Sequence, residues 1–377
     1  MSRAQKAVWW IVGIIVVGGL IWWGVSRDRG SNNVIKIGFI GPLTGDGAAF
    51  GETERNATIL ALDEINSAGG VNGKQIQVIY EDGKCDGKDA TDAIQKLISV
   101  DRVDIVLGGT CSAETLAAAP IAEANHVILF SAFSSNPAIT NAGDYIFRNA
   151  ASDSDVGKLD ASTMSKNFKS VAMLSEDTDY SQGVRGIMEG VFKNNNVKVV
   201  DDEVYVGGTP DFRSFLLKIK QANPQALYIN PGTTPTAGGL IVKQARELGI
   251  TIPLYGNFSL GTPEALQAGG SYMNGVIISN ASQLSSTGVQ LLANYRQRFG
   301  SDPANEFEMG AAYDRVYIIK NALSAVGDNP DKIKNYLYQM PSFDGTIGTY
   351  HFDSNGDEVG VGFANFKIEG GEEVPLI

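Results

Sequence analysis

Gly108-Gly109-Thr110-Cys111-Ser112-Ala113-Glu114 follows the apolar run 103–107 and opens an alanine-rich segment of helical character. The two glycines let a chain leaving a strand turn tightly into a helix. Thr110, Cys111, Ser112 and Glu114 then supply hydroxyls, a thiol and a capping carboxylate where the free N–H groups of a first helical turn point. Such a turn can hold an anion. It can equally be an ordinary capped helix start with no ligand, and these seven residues alone do not decide between the two.

The surrounding sequence shows what kind of sheet the turn belongs to. Residues 34–40, 76–80, 103–107 and 127–130 are short β-rich runs, and helical patterns separate them. Ala57, Leu60, Ala61 and Ile65 share one helical face, which Gly69-Gly70 terminates, and Ala90, Ala93, Ile94, Leu97 and Ile98 form a second stripe. Strands alternating with crossover helices predict a parallel, doubly wound sheet covered on both faces. After the polar region 149–155 the alternation restarts, with strands near 171–174, 197–206, 226–229, 254–255 and 276–279. A second α/β lobe is therefore expected. Residues 289–299, 306–326 and 331–338 read as helices, and the tail from Thr346 alternates like antiparallel strands about a turn at Asn355-Gly356.

A chain of 377 residues suits two such lobes. Its formal net charge is −12; residues 1–33 hold four basic residues and one acidic, so the remainder carries 26 basic and 41 acidic, a balance of −15. An acidic body without a Lys/Arg cluster lacks the basic face that nucleic-acid binding needs. With two cysteines and two histidines, His126 and His351, scattered without ligand spacing, no metal site is expected, and each histidine reads as structural. Gly41-Pro-Leu-Thr-Gly45 has neither dinucleotide nor P-loop spacing, so no cofactor is expected. Asp353-Ser-Asn-Gly-Asp357 has Ala364 where a calcium loop carries its last glutamate, and reads as a hairpin turn. No G-x-S-x-G and no acid–base set points to catalysis, so the protein is not expected to be an enzyme.

Residues 8–25 are uncharged and apolar, long enough to span a bilayer, with Trp9, Trp10, Trp22 and Trp23 at the two ends, where indoles favour the headgroup region. They predict an N-terminal transmembrane anchor. A cleaved signal peptide is the alternative, though there is no A-x-A site.

Ile40-Gly-Pro-Leu-Thr-Gly45, Ala61-Leu-Asp-Glu-Ile-Asn-Ser-Ala-Gly-Gly-Val71, Cys85-Asp86, Cys111-Ser112, Ser131 through Asn136-Pro137, and Asp179-Tyr-Ser-Gln-Gly183 follow one another in this order. Together they resemble the branched-chain amino-acid substrate-binding proteins of ABC transporters, over roughly residues 34–368. The resemblance implies a type I periplasmic-binding fold, two α/β lobes joined by three crossovers that close on a ligand without chemistry. It implies residues 1–33 as anchor and linker, 34–153 plus 282–343 as lobe 1, and 154–281 plus 344–377 as lobe 2. It also implies a Cys85–Cys111 disulfide, which suits an oxidising exterior and so places the N-terminus in the cytoplasm.

Carried over by position, Ser112 resembles the serine that holds a ligand carboxylate, Ser135 its hydroxyl partner, and Phe133 the residue whose carbonyl accepts from a ligand amine. Phe50 and Tyr180 match aromatic pocket positions, and Thr233 or Thr234 falls near another. Both serine loops follow strand ends, where open α/β sheets bind ligands. One position departs: where amino-acid binders of the family place an acid against the ligand ammonium, this chain has Asn257-Phe258, both expected at the ligand, with Asn257 as a neutral hydrogen-bond partner. Asp179 and Glu308 are the candidate substitutes, although the first reads as part of a turn before a helix and the second as facing solvent.

The expected function is a membrane-tethered, monomeric, extracytoplasmic solute-binding protein that delivers an amino acid or related ligand to an ABC permease. The alternatives are a ligand-sensing receptor domain, or a binder of a small amide, urea or carboxylate that needs no amine partner.

Overall fold

The computed structural model describes residues 33–281 and 284–376. The apolar run 8–25 lies outside them, and among the described residues no helix is long and apolar enough to cross a membrane.

The first lobe is a five-stranded parallel sheet of order β2-β1-β3-β4-β5, built from β1 (Val34–Gly41), β2 (Gln75–Asp82), β3 (Ile105–Leu107), β4 (Ile128–Ser131) and β5 (Ile146–Arg148). Successive side chains leave opposite faces of a strand, so each run feeds two cores. Phe39, Leu107 and Phe130 pack with helix α1 (Ala48–Ser67) and with the helix Glu306–Val326 through Leu60, Ile65, Val316 and Ile319. Ile40, Val106 and Leu129 face the other way, onto α2 (Gly87–Lys96) and α3 (Ser112–Ala124) through Ala90, Ile94, Ala118 and Ala122. This is why the strands read as continuous apolar runs rather than as alternation.

The second lobe repeats the plan. Its sheet has the order β15-β14-β10-β9-β8-β6-β7, formed by β6 (Ser170–Glu176), β7 (Lys198–Tyr205), β8 (Ala226–Asn230), β9 (Leu254–Gly256), β10 (Ile277–Ala281), β14 (Phe363–Glu369) and β15 (Glu372–Pro375). The first five are parallel; β14 and β15 join antiparallel. Met173 and Tyr228 pack on α4 (Asp153–Asn167) and α5 (Asp179–Asn194) through Met164, Val184 and Met188. Leu174 and Ile229 face the opposite core, with Leu216 of α6 (Arg213–Ala222) and Ile241 of α7 (Pro235–Glu247).

The chain passes between lobes after β5, after β10 and before β14. The last crossing comes later than the sequence suggested. Residues from 344 onward were expected in lobe 2, yet β11 (Phe343–Gly345), β12 (Gly348–Phe352) and β13 (Glu358–Val359) form a small antiparallel sheet whose Ile347, Tyr350 and Phe352 are buried in the lobe 1 core. Alternation reveals that Tyr350 and Phe352 face inward; it does not reveal which core receives them. The chain turns away only at Gly360, with φ +138°, where a Cβ would meet the Thr349 carbonyl oxygen at 2.5 Å. The Asp353 carboxylate accepts the N–H groups of Asn355 (2.8 Å) and Asp357 (3.0 Å), closing the β12–β13 hairpin turn. Asp357 in turn takes the fully buried Arg148, Nε to Oδ1 at 2.7 Å and Nη2 to Oδ2 at 2.8 Å, which fastens the end of β5 to that hairpin.

Cys85, after β2, and Cys111, at the start of α3, are joined by a disulfide with a Cα–Cα distance of 5.1 Å. Thiol titration of the denatured, unreduced chain should find no reactive thiol, and two after reduction. Closing a loop of about 27 residues contributes roughly 3 to 4 kcal/mol in the chain-entropy account, so reduction should lower unfolding stability by that order.

Candidate functional site: a cleft between strand-end loops

The carboxyl ends of β3 and β4 supply the first-lobe wall. A Cβ on Gly108, φ +138°, would stand 2.2 Å from the Ile40 carbonyl oxygen, so only glycine brings the β3–α3 turn this close to β1. The Gly109 carbonyl oxygen accepts the Ser131 hydroxyl (2.7 Å); the Ser134 and Thr115 hydroxyls bond each other at 2.6 Å, and one of them donates on to the same carbonyl, binding the turn to the loop after β4. Glu114 is not directed at a ligand: its carboxylate accepts the N–H groups of Cys85 (3.0 Å) and Cys111 (2.9 Å), supporting both ends of the disulfide. Burial nonetheless pushes its pKa up to about 8 against those bonds.

Two small adjoining cavities lie between the lobes. One, of about 40 Å³, is bounded by Phe50, Thr110, Ser112, Phe133, Ser135, Tyr180, Thr233 and Phe258. The other, of about 30 Å³, shares Phe133, Ser135, Tyr180 and Phe258 and adds Asp153. Seven of the nine expected ligand residues thus meet in one place. The rings of Phe258 and Phe133 lie 5.1 Å apart, Phe258 and Tyr180 5.9 Å, and Phe50 and Phe133 5.5 Å. Space of this size holds about three waters per cavity, so the cleft is closed, and a larger ligand enters only when the lobes part or Phe258 moves. A wider trough of about 650 Å³ adjoins at the rim, past Asn280, Asn305 and Phe307. Its lining is more polar than that of the cleft, with Glu373 bonded to Asn280 and Arg296 paired with Asp302.

Two expected residues do not reach the cavities. Asn257 is fully buried and its amide is spent: Nδ2 donates to Asn230 Oδ1 and the Pro231 carbonyl, both at 2.9 Å, and Oδ1 accepts from Ser259 N at 3.0 Å. The Thr234 hydroxyl turns instead to Glu176, at 3.4 Å. Glu176, which sequence reasoning missed, also takes Gly232 N (2.7 Å) and the Thr233 hydroxyl (2.9 Å), and so shapes the second-lobe loop. Neither substitute acid lines the cavities. Asp179 is exposed in the first turn of α5, and Glu308 is fully buried rather than solvent-facing, with burial and nearby Glu54 raising its pKa well above the usual range.

The acid of the cleft is Asp153, in the first turn of α4 just past the first crossover. It is 2% exposed, its N–H donates to the Ser135 carbonyl at 2.8 Å, and its Oδ2 has no partner. Burial pushes its pKa up to about 7, while the Ser135 hydroxyl and Arg148 pull it down. In the sequence it hid in the polar stretch 149–155, which reads as a connection. On the opposite side the buried Thr110 hydroxyl is turned toward Glu54, whose ionised form it favours. Ser112 Oγ accepts Asn136 N–H at 3.2 Å, leaving its own proton to donate. The cleft therefore offers a hydroxyl donor at the N-terminus of α3, aromatic walls, and one buried carboxyl group.

A family model described as periplasmic binding protein matches residues 34–372. The chain is 28% identical over 363 residues to the leucine-, isoleucine-, valine-, threonine-, and alanine-binding protein of Pseudomonas aeruginosa, covering 95% of this chain and 94% of that one. It is similar to the branched-chain amino acid transporter substrate binding protein of Streptococcus pneumoniae in complex with isoleucine, with TM-score 0.81 and 29% identity over 90% of this chain and 97% of the other. A solute binding protein of Rhodopseudomonas palustris in complex with 3,4-dihydroxybenzoic acid shares the fold, with TM-score 0.81 and 24% identity over 92% of this chain and 97% of that one. With the matched region spanning both lobes and the cleft between them, the chain belongs to the periplasmic binding protein family of transporter substrate-binding proteins.

Proposed function

We propose that this protein captures a zwitterionic amino acid between its lobes, outside the cytoplasm, and delivers it to an ABC permease. The observation that carries the reading is the unpartnered Oδ2 of buried Asp153 in the same cleft as the Ser112 hydroxyl, whose proton is left to donate. A ligand ammonium needs a carboxylate where water is excluded, and a ligand carboxylate suits a helix N-terminus with hydroxyl donors. Phe50, Phe133, Tyr180 and Phe258 then surround an apolar side chain. A second reading has a specific basis: with its pKa near 7, a protonated Asp153 can donate a hydrogen bond to a ligand that has no amine. Residues 8–25 are proposed to anchor the domain to the membrane; N-terminal sequencing of protein from membranes should find the segment intact, and a start near Arg27 would show cleavage.

Leucine, isoleucine and valine are the probes for calorimetry. Ser112→Ala and Ser135→Ala should each weaken binding by about 1 to 3 kcal/mol, and Ser112→Ala should also lower the unfolding temperature because it leaves the buried Asn136 N–H without its acceptor. Parent-like binding by both variants would exclude the serine loops from the site.

Asp153→Asn should weaken leucine binding at least tenfold and leave 4-methylpentanoate, which lacks the amine, within about threefold. Equal effects on the two would reject the ammonium assignment. The pH dependence follows in sign. The carboxyl is raised to about 7 in the closed, unliganded cleft, and an ammonium stabilises its ionised form. Leucine binding near pH 6 should therefore release protons and strengthen as pH rises toward 7, up to about tenfold per unit. Calorimetry in buffers of different ionisation enthalpy measures that release, which Asp153→Asn should abolish.

A further inference from the structure

Asn136 stands where the lobes meet, and every polar group it has is engaged. Its N–H donates to Ser112 Oγ (3.2 Å), its carbonyl accepts from Arg148 Nη1 (2.9 Å), and its Oδ1 accepts from Ala138 N (2.8 Å). These three bonds lie within lobe 1 and fix the direction of the remaining group. That group, Nδ2, points across the cleft and donates to the Asp179 carbonyl oxygen at 2.5 Å, in the first turn of α5 in lobe 2.

A second feature of α5 meets the same spot. Gly183 lies one turn further along, and a Cβ there would stand 2.8 Å from Asn136 Nδ2 and 3.1 Å from Pro137 Cδ. The missing side chain is what lets the helix settle against the Asn136 loop. Elsewhere the lobes touch through rings, Phe258 against Phe133 at 5.1 Å and against Phe50 at 6.5 Å. Ring contacts tolerate sliding; a hydrogen bond between a fixed amide and a helix carbonyl does not. Among the described residues, the Asn136–Asp179 bond is the side-chain hydrogen bond that spans the cleft away from the crossovers.

We propose that Asn136 is a closure latch, a positioning residue whose side-chain amide holds the lobes together through the Asp179 carbonyl while its backbone N–H orients the Ser112 hydroxyl. The inference rests on the reading that the lobes close on a ligand. It makes ligand seating and closure depend on one residue: Ser112 has its proton directed into the cleft by the same loop that bonds α5.

The full chain, in detergent, would carry a dye pair at azide-bearing residues replacing the exposed Lys88 of lobe 1 and Lys218 of lobe 2. Single-molecule energy transfer then reads the interlobe distance without ligand, and stopped flow reads isoleucine dissociation. Asn136→Asp, which keeps the size and the Oδ1 acceptor but removes the donor, should shift the unliganded population toward the open form. It should speed isoleucine release by about three- to tenfold. Gly183→Val, which leaves Asn136 intact and blocks the approach, should do the same or more, and both variants should unfold within about 2 °C of the parent. Parent-like distances in both variants overturn the latch, and so does opening matched by a comparable loss of thermal stability. If isoleucine does not bind the parent, the isoleucine reading fails by itself, and the distance distributions still decide the latch.

Discussion

The cleft depends on one carbonyl oxygen, that of Gly109, onto which the hydroxyls of Ser131, Ser134 and Thr115 converge. Two loops leaving neighbouring parallel strands have no ladder bonds to hold them in register beyond the strand ends. Here a cluster of three hydroxyls, Ser134 and Thr115 bonded to each other at 2.6 Å, replaces the ladder. The Ser131 hydroxyl also receives the N–H groups of Phe133 (3.2 Å) and Ser134 (2.9 Å), so the loop carrying Phe133 and Ser135 is set by the loop carrying Thr110 and Ser112. With the disulfide and Glu114 supporting the same turn, the first-lobe half of the site is built before any ligand arrives. That is the condition under which a few hydrogen bonds give affinity rather than being consumed in ordering loops.

The second half of the site is brought rather than built in place. Asp153 lies just past the first crossover, and Tyr180 and Phe258 come from lobe 2. Asp153 is tied to the first-lobe loop through its N–H and the Ser135 carbonyl, and the lobe 2 rings Tyr180 and Phe258 cover it and exclude water. Leaving Asp153 Oδ2 buried without a partner is costly, and burial raises its pKa. The closed, empty cleft is thus electrostatically incomplete in a way that a cation would complete. The ring contacts and the Asn136 bond work in the opposite sense, favouring closure even without ligand.

Much of the fold was legible in the sequence, because strands buried on both faces and helices with one apolar stripe leave different periods. The lobe that receives the β12–β13 hairpin was not legible, since Tyr350 and Phe352 announce a buried face without naming the core that covers it. For the site, Ser112, Ser135 and the aromatic positions were readable as residues at strand ends and in family motifs. Asn257 was expected at the ligand because it stands where the family places its acid, but position along the chain says nothing of direction: the Phe258 ring enters the cleft while the Asn257 amide is held by Asn230 and Pro231. Asp153 was missed for the complementary reason. A carboxylate in a polar connection looks solvated until the lobes fold over it. Asn136 gave no sequence signal for its role, because its partner is a backbone carbonyl 43 residues away.

The most direct measurement of the account is a crystal structure of the protein with isoleucine bound. The account predicts the ligand carboxylate against the Ser112 hydroxyl at the N-terminus of α3, the ammonium within hydrogen-bond distance of Asp153, and the side chain among Phe50, Phe133, Tyr180 and Phe258. An ammonium placed against another group, or a ligand seated in the rim trough away from Ser112, would contradict it.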